Sequence, residues 1–519
     1  MVMKVLIIYP NLPLMSLPSI AVGIFNAILK KNDCDIKLFD TRIYGKNSSN
    51  RHLKLEKIGA VSEAEDSGRD LFSKDQAFME DDLKDLVKSF KPDIILLSVM
   101  EDVWTITKKL LKSIKEFNVP IIAGGVFVMA APEIVIADEN IDIICTYEGE
   151  LVLSNIIKAW KEKRSFDDIK GIWFKRSGEV VKNPPEKLCD ISEVTPDFDC
   201  FDVNLTKRSM GGKTFKRVLT METYRGCPYN CAYCGSPGIK KHATKLKIGN
   251  FLRRKNIFSV KRDIELYLKT YKPDIIMFQD DSFLARPKEE LFFFAEMIKE
   301  HKIPFWFNSR IENCDLDVLL ALKDAGLYRM TFGIESGNEN YRMDILHRNV
   351  STDTYLKYFN YINESNVPYS LNAIIGMPFE TRDMILDTAR LIGASRGYDS
   401  IMISKYQVYH DTELRDVAVK NNFIPRNFIN SENLTDVGGG FMSEWQVNMP
   451  YPYLQPDDVE RLVKTFALYA YFPDWRWPEI KLAETDDVLY NKLMEEYKSA
   501  FFVDHQLGGM DRIKMRYHK

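Results

Sequence analysis

The chain has 519 residues, 45% of them hydrophobic and 28% charged, with a formal net charge of −3. That is length for several domains, and the near-neutral balance supplies no global field for nucleic acid. No apolar run reaches bilayer length, and the short one in MVMKVLIIYPNLP lacks a small-residue cleavage site, so a cytoplasmic protein without a membrane span or signal peptide is expected.

In chain order, residues 1–165 alternate short apolar runs with helical patterns. KVLIIYP (4–10), DIKLFD (35–40), DIILLSV (93–99), VPIIAGG (119–125) and IDIICTYEGE (141–150) read as strands. SIAVGIFNAILKK (19–31), LKDLVKSF (83–90), TKKLLKSIKEF (107–117) and APEIVIA (131–137) read as the helices between them. This repetition predicts an α/β, doubly wound, Rossmann- or flavodoxin-like parallel sheet with ligands at the carboxyl ends of its strands. Residues 41–80 are polar and read as a surface excursion.

Residues 166–215 read as a linker, with a β-hairpin in GIWFKRSGEVVKNPP turning at Ser177-Gly178. From 216 to 430 a second β–α series has candidate strands at 218–224, 274–279, 304–308, 327–334, 369–376 and 400–408. Six such strands predict a partial (β/α)6 TIM-type barrel, which carries its chemistry on the loops after the strands. Residues 431–519 read as a small, mostly helical C-terminal domain.

Eight cysteines are present; five are scattered, but Cys227, Cys231 and Cys234 share one loop, ETYRGCPYNCAYCGSP, with spacing C-x3-C-x2-C. A secreted disulfide framework does not suit a chain this long. Structural zinc wants four ligands, commonly as two separated pairs; the nearest additions are Cys200, across the linker, and His242. An iron–sulfur cubane takes one ligand per iron. Three thiolates leave one iron open to an exogenous ligand.

This loop, at the end of the first barrel strand, resembles that of the radical S-adenosylmethionine (SAM) superfamily. The resemblance implies a [4Fe-4S] cluster on Cys227, Cys231 and Cys234 that chelates SAM and cleaves it to a 5′-deoxyadenosyl radical. It extends to the ends of later strands. Tyr233 matches an aromatic position near the adenine. Asp280 and Asp281 in FQDDSF match a site for the SAM amino group, suited because a carboxylate accepts from an ammonium. Ser309 and Arg310 in FNSR are placed for the SAM carboxylate, Glu335 in GIESG for the ribose hydroxyls, and Gly376 in IIGMP for the adenine turn. Where many relatives carry Pro-Gly-Thr after the sixth strand, this chain has His410-Asp411-Thr412.

The front sheet resembles the cobalamin (B12)-binding domain found in part of that superfamily. SVM (98–100) matches a Ser-x-Leu mark, Gly124-Gly125 a Gly-Gly mark, and TYEGE (146–150) a closing motif. The implied cobalamin contacts are Asn11, Leu12, Leu14, Ser98, Met100, Gly124, Gly125, Glu148 and Gly149, with Leu12, Leu14 and Met15 as an apolar floor near the cobalt. No histidine precedes His52. The resemblance is therefore to the branch with no protein histidine under the metal.

Together these imply a cobalamin-dependent radical SAM enzyme, of which the methylating kind transfers methyl from methylcobalamin to an unactivated carbon. Implied partners are a small-molecule substrate and a reductant such as flavodoxin or ferredoxin. Cyclisation or rearrangement without methyl transfer is the rival within the class, and a non-catalytic cobalamin sensor the rival outside it. The basic run KKHATKLKIGNFLRRK (240–255) reads either as a docking face for an acidic donor or anionic substrate, or as a solvated segment. Trp445, Trp475 and Trp477 read either as a pocket lining under a Gly438–Gly440 hinge or as core.

Overall fold

The computed structural model describes residues 2–11, 17–45, 56–61, 74–202, 206–210, 213–433 and 453–506. Among the described residues no helix is long and apolar enough to cross a membrane.

The first sheet contains β1 (Lys4–Tyr9), β2 (Asp35–Asp40), β3 (Ile94–Ser98), β4 (Ile121–Gly124) and β5 (Ile143–Cys145), continued by β6 (Ile172–Arg176) and β7 (Glu179–Lys182), in the order β2-β1-β3-β4-β5-β6-β7. The first five are parallel. Their side chains alternate between two cores: Val5 and Ile7 face helices Ile20–Lys31 and Gly149–Lys161, while Leu6 and Ile8 face helices Met79–Phe90 and Trp104–Ile114. The strand order switches direction across the sheet between β1 and β3, the position at whose carboxyl ends open α/β sheets place a ligand.

The hairpin turns at Ser177-Gly178 as expected, both residues having positive φ (50° and 84°), the requirement of a tight two-residue turn. It is not part of a linker, however. β6 pairs antiparallel with β5 and extends the front sheet.

The second sheet contains β10 (Val218–Met221), β13 (Ile275–Phe278), β14 (Phe305–Arg310), β15 (Leu327–Glu335), β16 (Tyr369–Ile375) and β17 (Ser400–Lys405), all parallel and in that order. Strands β10 and β17 do not pair with each other, so the barrel is open. A short hairpin, β8 (Arg208–Met210) and β9 (Lys213–Phe215), helps to close its floor: Met210 and Phe215 pack on the inward-facing Val218, Ile275, Met277 and Trp306.

The front unit meets both edges of this open barrel. Thr220 on β10 donates to the Pro18 carbonyl (2.9 Å), and the Ile401 N–H on β17 donates to the Ala60 carbonyl (3.0 Å). The described part of the expected excursion, residues 56–61, is thus packed against the barrel: Tyr497 also donates to the Gly59 carbonyl, at 2.9 Å.

After the barrel, helices Pro456–Tyr471, Trp477–Ala483 and Asp487–Gln506 pack together, the first lying along helix Arg382–Ala394. Trp475 is 78% exposed, and Trp477 packs edge-on to Tyr469 beneath the Arg390 guanidinium. Trp445 and Gly438–Gly440 lie outside the described residues.

Candidate active site

The cysteine loop follows β11 (Tyr224–Arg225), which pairs antiparallel with β12 (Arg253–Arg254). Gly226 turns the chain at φ +94°, and a Cβ there would lie 2.7 Å from the Phe251 carbonyl oxygen, so the entry to the loop requires glycine. The loop is pinned on two sides: Ala232 N donates to Leu346 O (3.1 Å), and Leu414 N donates to Ala232 O (2.9 Å). Cys231 is buried, and Cys227 and Cys234 are half-buried.

The three sulfurs are not all within 4.8 Å of one another. A single tetrahedral zinc at 2.3 Å from each sulfur draws its thiolates to about 3.8 Å apart. A cubane, with one thiolate per iron, holds them more widely. The wider spacing argues against a single zinc and leaves room for a cubane. Burial pushes the Cys227 thiol up to about 11 and the Cys234 thiol up to about 12, so a bound cation must supply the charge that keeps them as thiolates.

The Asp pair after β13 divides into two environments. Asp280 is buried and fully engaged: it accepts from Thr223 N (2.7 Å), Tyr224 N (3.0 Å) and the Thr223 hydroxyl, and pairs with Arg286 at 2.6 Å. It ties β13 to the base of the cysteine loop and has no spare oxygen for an ammonium. Asp281 keeps its carboxylate open to solvent while protein surrounds it; burial, then Asp280, push its pKa up to about 6, and the Ser236 hydroxyl lies 3.5 Å away.

After β14, the Ser309 hydroxyl accepts from Leu284 N (3.1 Å) and is 3.2 Å from Ser282, so it braces the neighbouring loop. Arg310 turns towards the cysteines. Its Nη1 is 3.5 Å from Cys231 Sγ, its guanidinium stacks 3.7 Å from the Tyr229 ring centre, and it pairs with Glu312.

Glu335, at the end of β15, has φ +62°, an uncommon conformation for a residue with a side chain. Arg348 organises this corner: it donates to Gly333 O (2.5 Å) and lies 3.3 Å from the Tyr233 hydroxyl and 3.5 Å from the Glu335 carboxylate. Burial raises the Glu335 carboxyl above its ordinary range, and Arg348 opposes that rise. Sequence reasoning missed Arg348 and Glu312, which lie off the strand-end motifs and carry no local signal.

At the fifth strand, Gly376 (φ +78°) and Met377 donate their N–H groups to Glu380 Oε2, at 2.7 and 3.2 Å. Glu380 is fully buried, its Oε1 has no partner, and burial pushes its pKa up to about 8.

In the front sheet, Ser98 and Gly124 are neighbours across β3 and β4. Ser98 is half-exposed, with no intraprotein hydrogen bond from its hydroxyl among the described residues, and a Cβ at Gly124 would meet only Cys145, at 3.8 Å. A free donor beside open space fits a ligand tail. Gly125 is different: at φ +108° its missing Cβ would strike the Val99 carbonyl oxygen at 2.6 Å, so its need for glycine is internal. Met100 is half-exposed beside Ser98. Asn11 is buried; its main-chain N–H donates to Thr41 Oγ1 (2.7 Å) and its side-chain amide donates to the Tyr9 hydroxyl (2.7 Å). Leu12, Leu14 and Met15 lie outside the described residues. Gly149 begins its helix against Phe25.

Glu148 faces the barrel. It pairs with Arg253 and with Arg225 (3.0 Å) and accepts from Cys189 N (3.1 Å); burial works against its carboxylate, but the two arginines hold it down at about 2. Glu150 joins the same cluster through Arg225 at 2.8 Å. The group is an inter-domain strut, and part of the basic run is engaged similarly: Arg254 pairs with Glu290, Lys255 with Asp263 at 2.5 Å, and Lys240 binds Asn230 at 2.7 Å, while Lys241, Lys245 and Lys247 are exposed.

The departure at the sixth strand has a structural role. The His410 N–H and Nδ1 both lie 3.0 Å from Glu101 Oε2, just after β3, and the Tyr409 hydroxyl donates to Asp102 (2.9 Å). Asp411 meets His242 at 3.0 Å on helix Ser236–Leu246, which follows the cysteines. One loop therefore clasps the front sheet, the sixth strand and the cysteine loop.

Residues 221–392 match the model of the radical SAM superfamily. That stretch begins on the first barrel strand, holds the cysteine loop and runs into the helix after β16. It is 26% identical over 66% of its length to an uncharacterized methyltransferase of Pyrococcus horikoshii, covering 73% of that relative. Among solved structures, the chain is similar to the cobalamin-dependent SAM radical enzyme OxsB, solved with aqua-cobalamin and SAM bound (TM-score 0.63, 16% identity, 98% of this chain and 72% of that one). It is also similar to the radical SAM methyltransferase TsrM of Kitasatospora setae, solved with tryptophan substrate and a SAM analog (TM-score 0.58, 13% identity, 81% and 77%). These likenesses establish the fold over both sheets.

Proposed function

We propose that this radical SAM protein is a cobalamin-dependent methyltransferase acting on an unactivated carbon of a small molecule. The observation that carries the reading is the clasp: it ties the helix after the cysteine loop to the segment just after β3, beside Ser98, as a reaction shared between two cofactors requires. Cys227, Cys231 and Cys234 would each hold one iron, with SAM on the fourth. Asp281 suits the SAM ammonium, the Arg348–Glu335–Tyr233 corner the ribose and adenine, and the Gly376 turn the adenine face. Ser98, Met100 and Gly124 would meet a corrinoid in the front unit, residues 4–182. When bound, the cluster and SAM supply a carbon radical that removes hydrogen from the substrate, and the corrinoid supplies methyl. The protein's part is to orient the reactants and keep water from the radical. An external one-electron donor, flavodoxin or ferredoxin, completes the system.

The test is anaerobic reconstitution followed by product analysis with SAM and reductant. The expected content is about four irons, one cubane, and one cobalt per chain. Methyl transfer yields both 5′-deoxyadenosine and S-adenosylhomocysteine. 5′-Deoxyadenosine alone points to cyclisation or rearrangement, and neither product with full cofactor loading points to a sensor.

A further inference from the structure

Arg208 begins the hairpin that closes the barrel floor. Its guanidinium carbon lies 5.1 Å from the centre of the Trp306 ring. Trp306 points inward: its indole N–H donates to Thr331 on β15 (2.9 Å), and it packs among Met210, Phe215, Ile275 and Met277. Leu17 of the front unit leans on the same cluster. The floor of the barrel and the front unit therefore meet beside Arg208.

Among the described residues this guanidinium has no anionic partner, and the only charge acting on it is another cation: burial, then Arg329, push its pKa down to about 10. Arg329 is itself matched by Asp399. Other deeply set arginines carry a counter-charge, as Arg42 with Asp40, Arg225 with Glu222, Arg286 with Asp280 and Arg310 with Glu312, or, like Arg415, donate to main-chain carbonyls. Arg208 retains partial solvent contact although protein surrounds it. Withdrawing a guanidinium from bulk water without a counter-charge is costly. The planar fork, braced on an indole face, suits a carboxylate or phosphate through two parallel hydrogen bonds.

We infer that Arg208 anchors an anionic group, carboxylate or phosphate, of the molecule that enters the barrel. That this molecule is the substrate rests on the methyltransferase reading; the anion site does not.

The test is calorimetric titration and thermal unfolding of the full-length protein with inorganic phosphate and, separately, acetate, for wild type, Arg208→Gln and Arg208→Lys. Wild type should bind at least one of the two, and which one identifies the group. Arg208→Gln should bind at least tenfold more weakly and, without anion, unfold no earlier than wild type, because an unmatched charge has been removed. Arg208→Lys should retain part of the affinity. Equal titrations of wild type and Arg208→Gln overturn the proposal, as does absence of binding to wild type. Arg208→Gln that melts earlier while wild type gains nothing from either anion also overturns it, making Arg208 a packing residue. SAM cleavage without substrate is measured in parallel: its absence from loaded wild type would sink the catalytic reading and leave the anion result standing.

Discussion

Glu101 and His410 are 309 residues apart in the chain, yet one oxygen of Glu101 lies 3.0 Å from both the main-chain nitrogen and Nδ1 of His410. Its other oxygen accepts from Asn430 N at 3.1 Å. The carboxylate is buried, so three donors depend on it.

Replacing Glu101 with Ala should therefore cost roughly 3 kcal/mol or more, since each stranded buried donor costs about 1–3 kcal/mol. Glu101→Gln keeps an acceptor and should recover part of the loss. Urea denaturation measures both; an alanine variant as stable as wild type would show that the clasp holds nothing.

A pH dependence is expected from Glu380. Its folded pKa, about 8, lies above its unfolded value. The folded state thus binds the extra proton, and this group's contribution to stability is full below the unfolded pKa and lost as pH rises towards 8. Denaturation series across pH 5 to 8 should show a decline that Glu380→Gln flattens. An unchanged slope in the variant would assign the decline to other groups.

Arg310 brings a positive charge and an N–H donor to 3.5 Å from Cys231 Sγ. Both favour the more negative, reduced state of a cluster held there. In the reconstituted protein Arg310→Gln should lower the cluster midpoint potential by tens of millivolts, where about 59 mV is a tenfold change for one electron. An EPR-monitored redox titration reads this, and an unmoved potential would show that Arg310 acts elsewhere.

The corrinoid reading also makes a spectroscopic claim. With no histidine before His52, the Co(II) EPR spectrum of the cobalamin-loaded protein should lack axial nitrogen splitting. A nitrogen triplet would place a nitrogen ligand under the metal and overturn that placement.

Much of the barrel was legible in the sequence, because a strand followed by an amphipathic helix writes its period locally. All six candidate strands fall on β10, β13, β14, β15, β16 and β17, and the three cysteines share the loop that the spacing implied. What was not legible is long-range. Nothing near Asp280 shows that Thr223, Tyr224 and Arg286 consume its carboxylate, and nothing near Arg348 shows that Tyr233 and Glu335 converge on it. The hairpin at 172–182 was recognised but misplaced in a linker, since its turn is local chemistry while its pairing with β5 is not. His410-Asp411 looked like a defect in a motif, because its partners lie in another sheet and on the helix beyond the cysteines.

The open barrel has a further consequence. Strands β10 and β17 are raw sheet edges, and the bonds from Thr220 to Pro18 and from Ile401 to Ala60 give each edge a cover drawn from the front unit. Unprotected parallel edges recruit other strands. The front unit is then a guard against self-association, and a fragment beginning near residue 216 should form higher-order species in light scattering where the full chain does not. In such a protein, losing the first 180 residues would abolish solubility before it abolished chemistry.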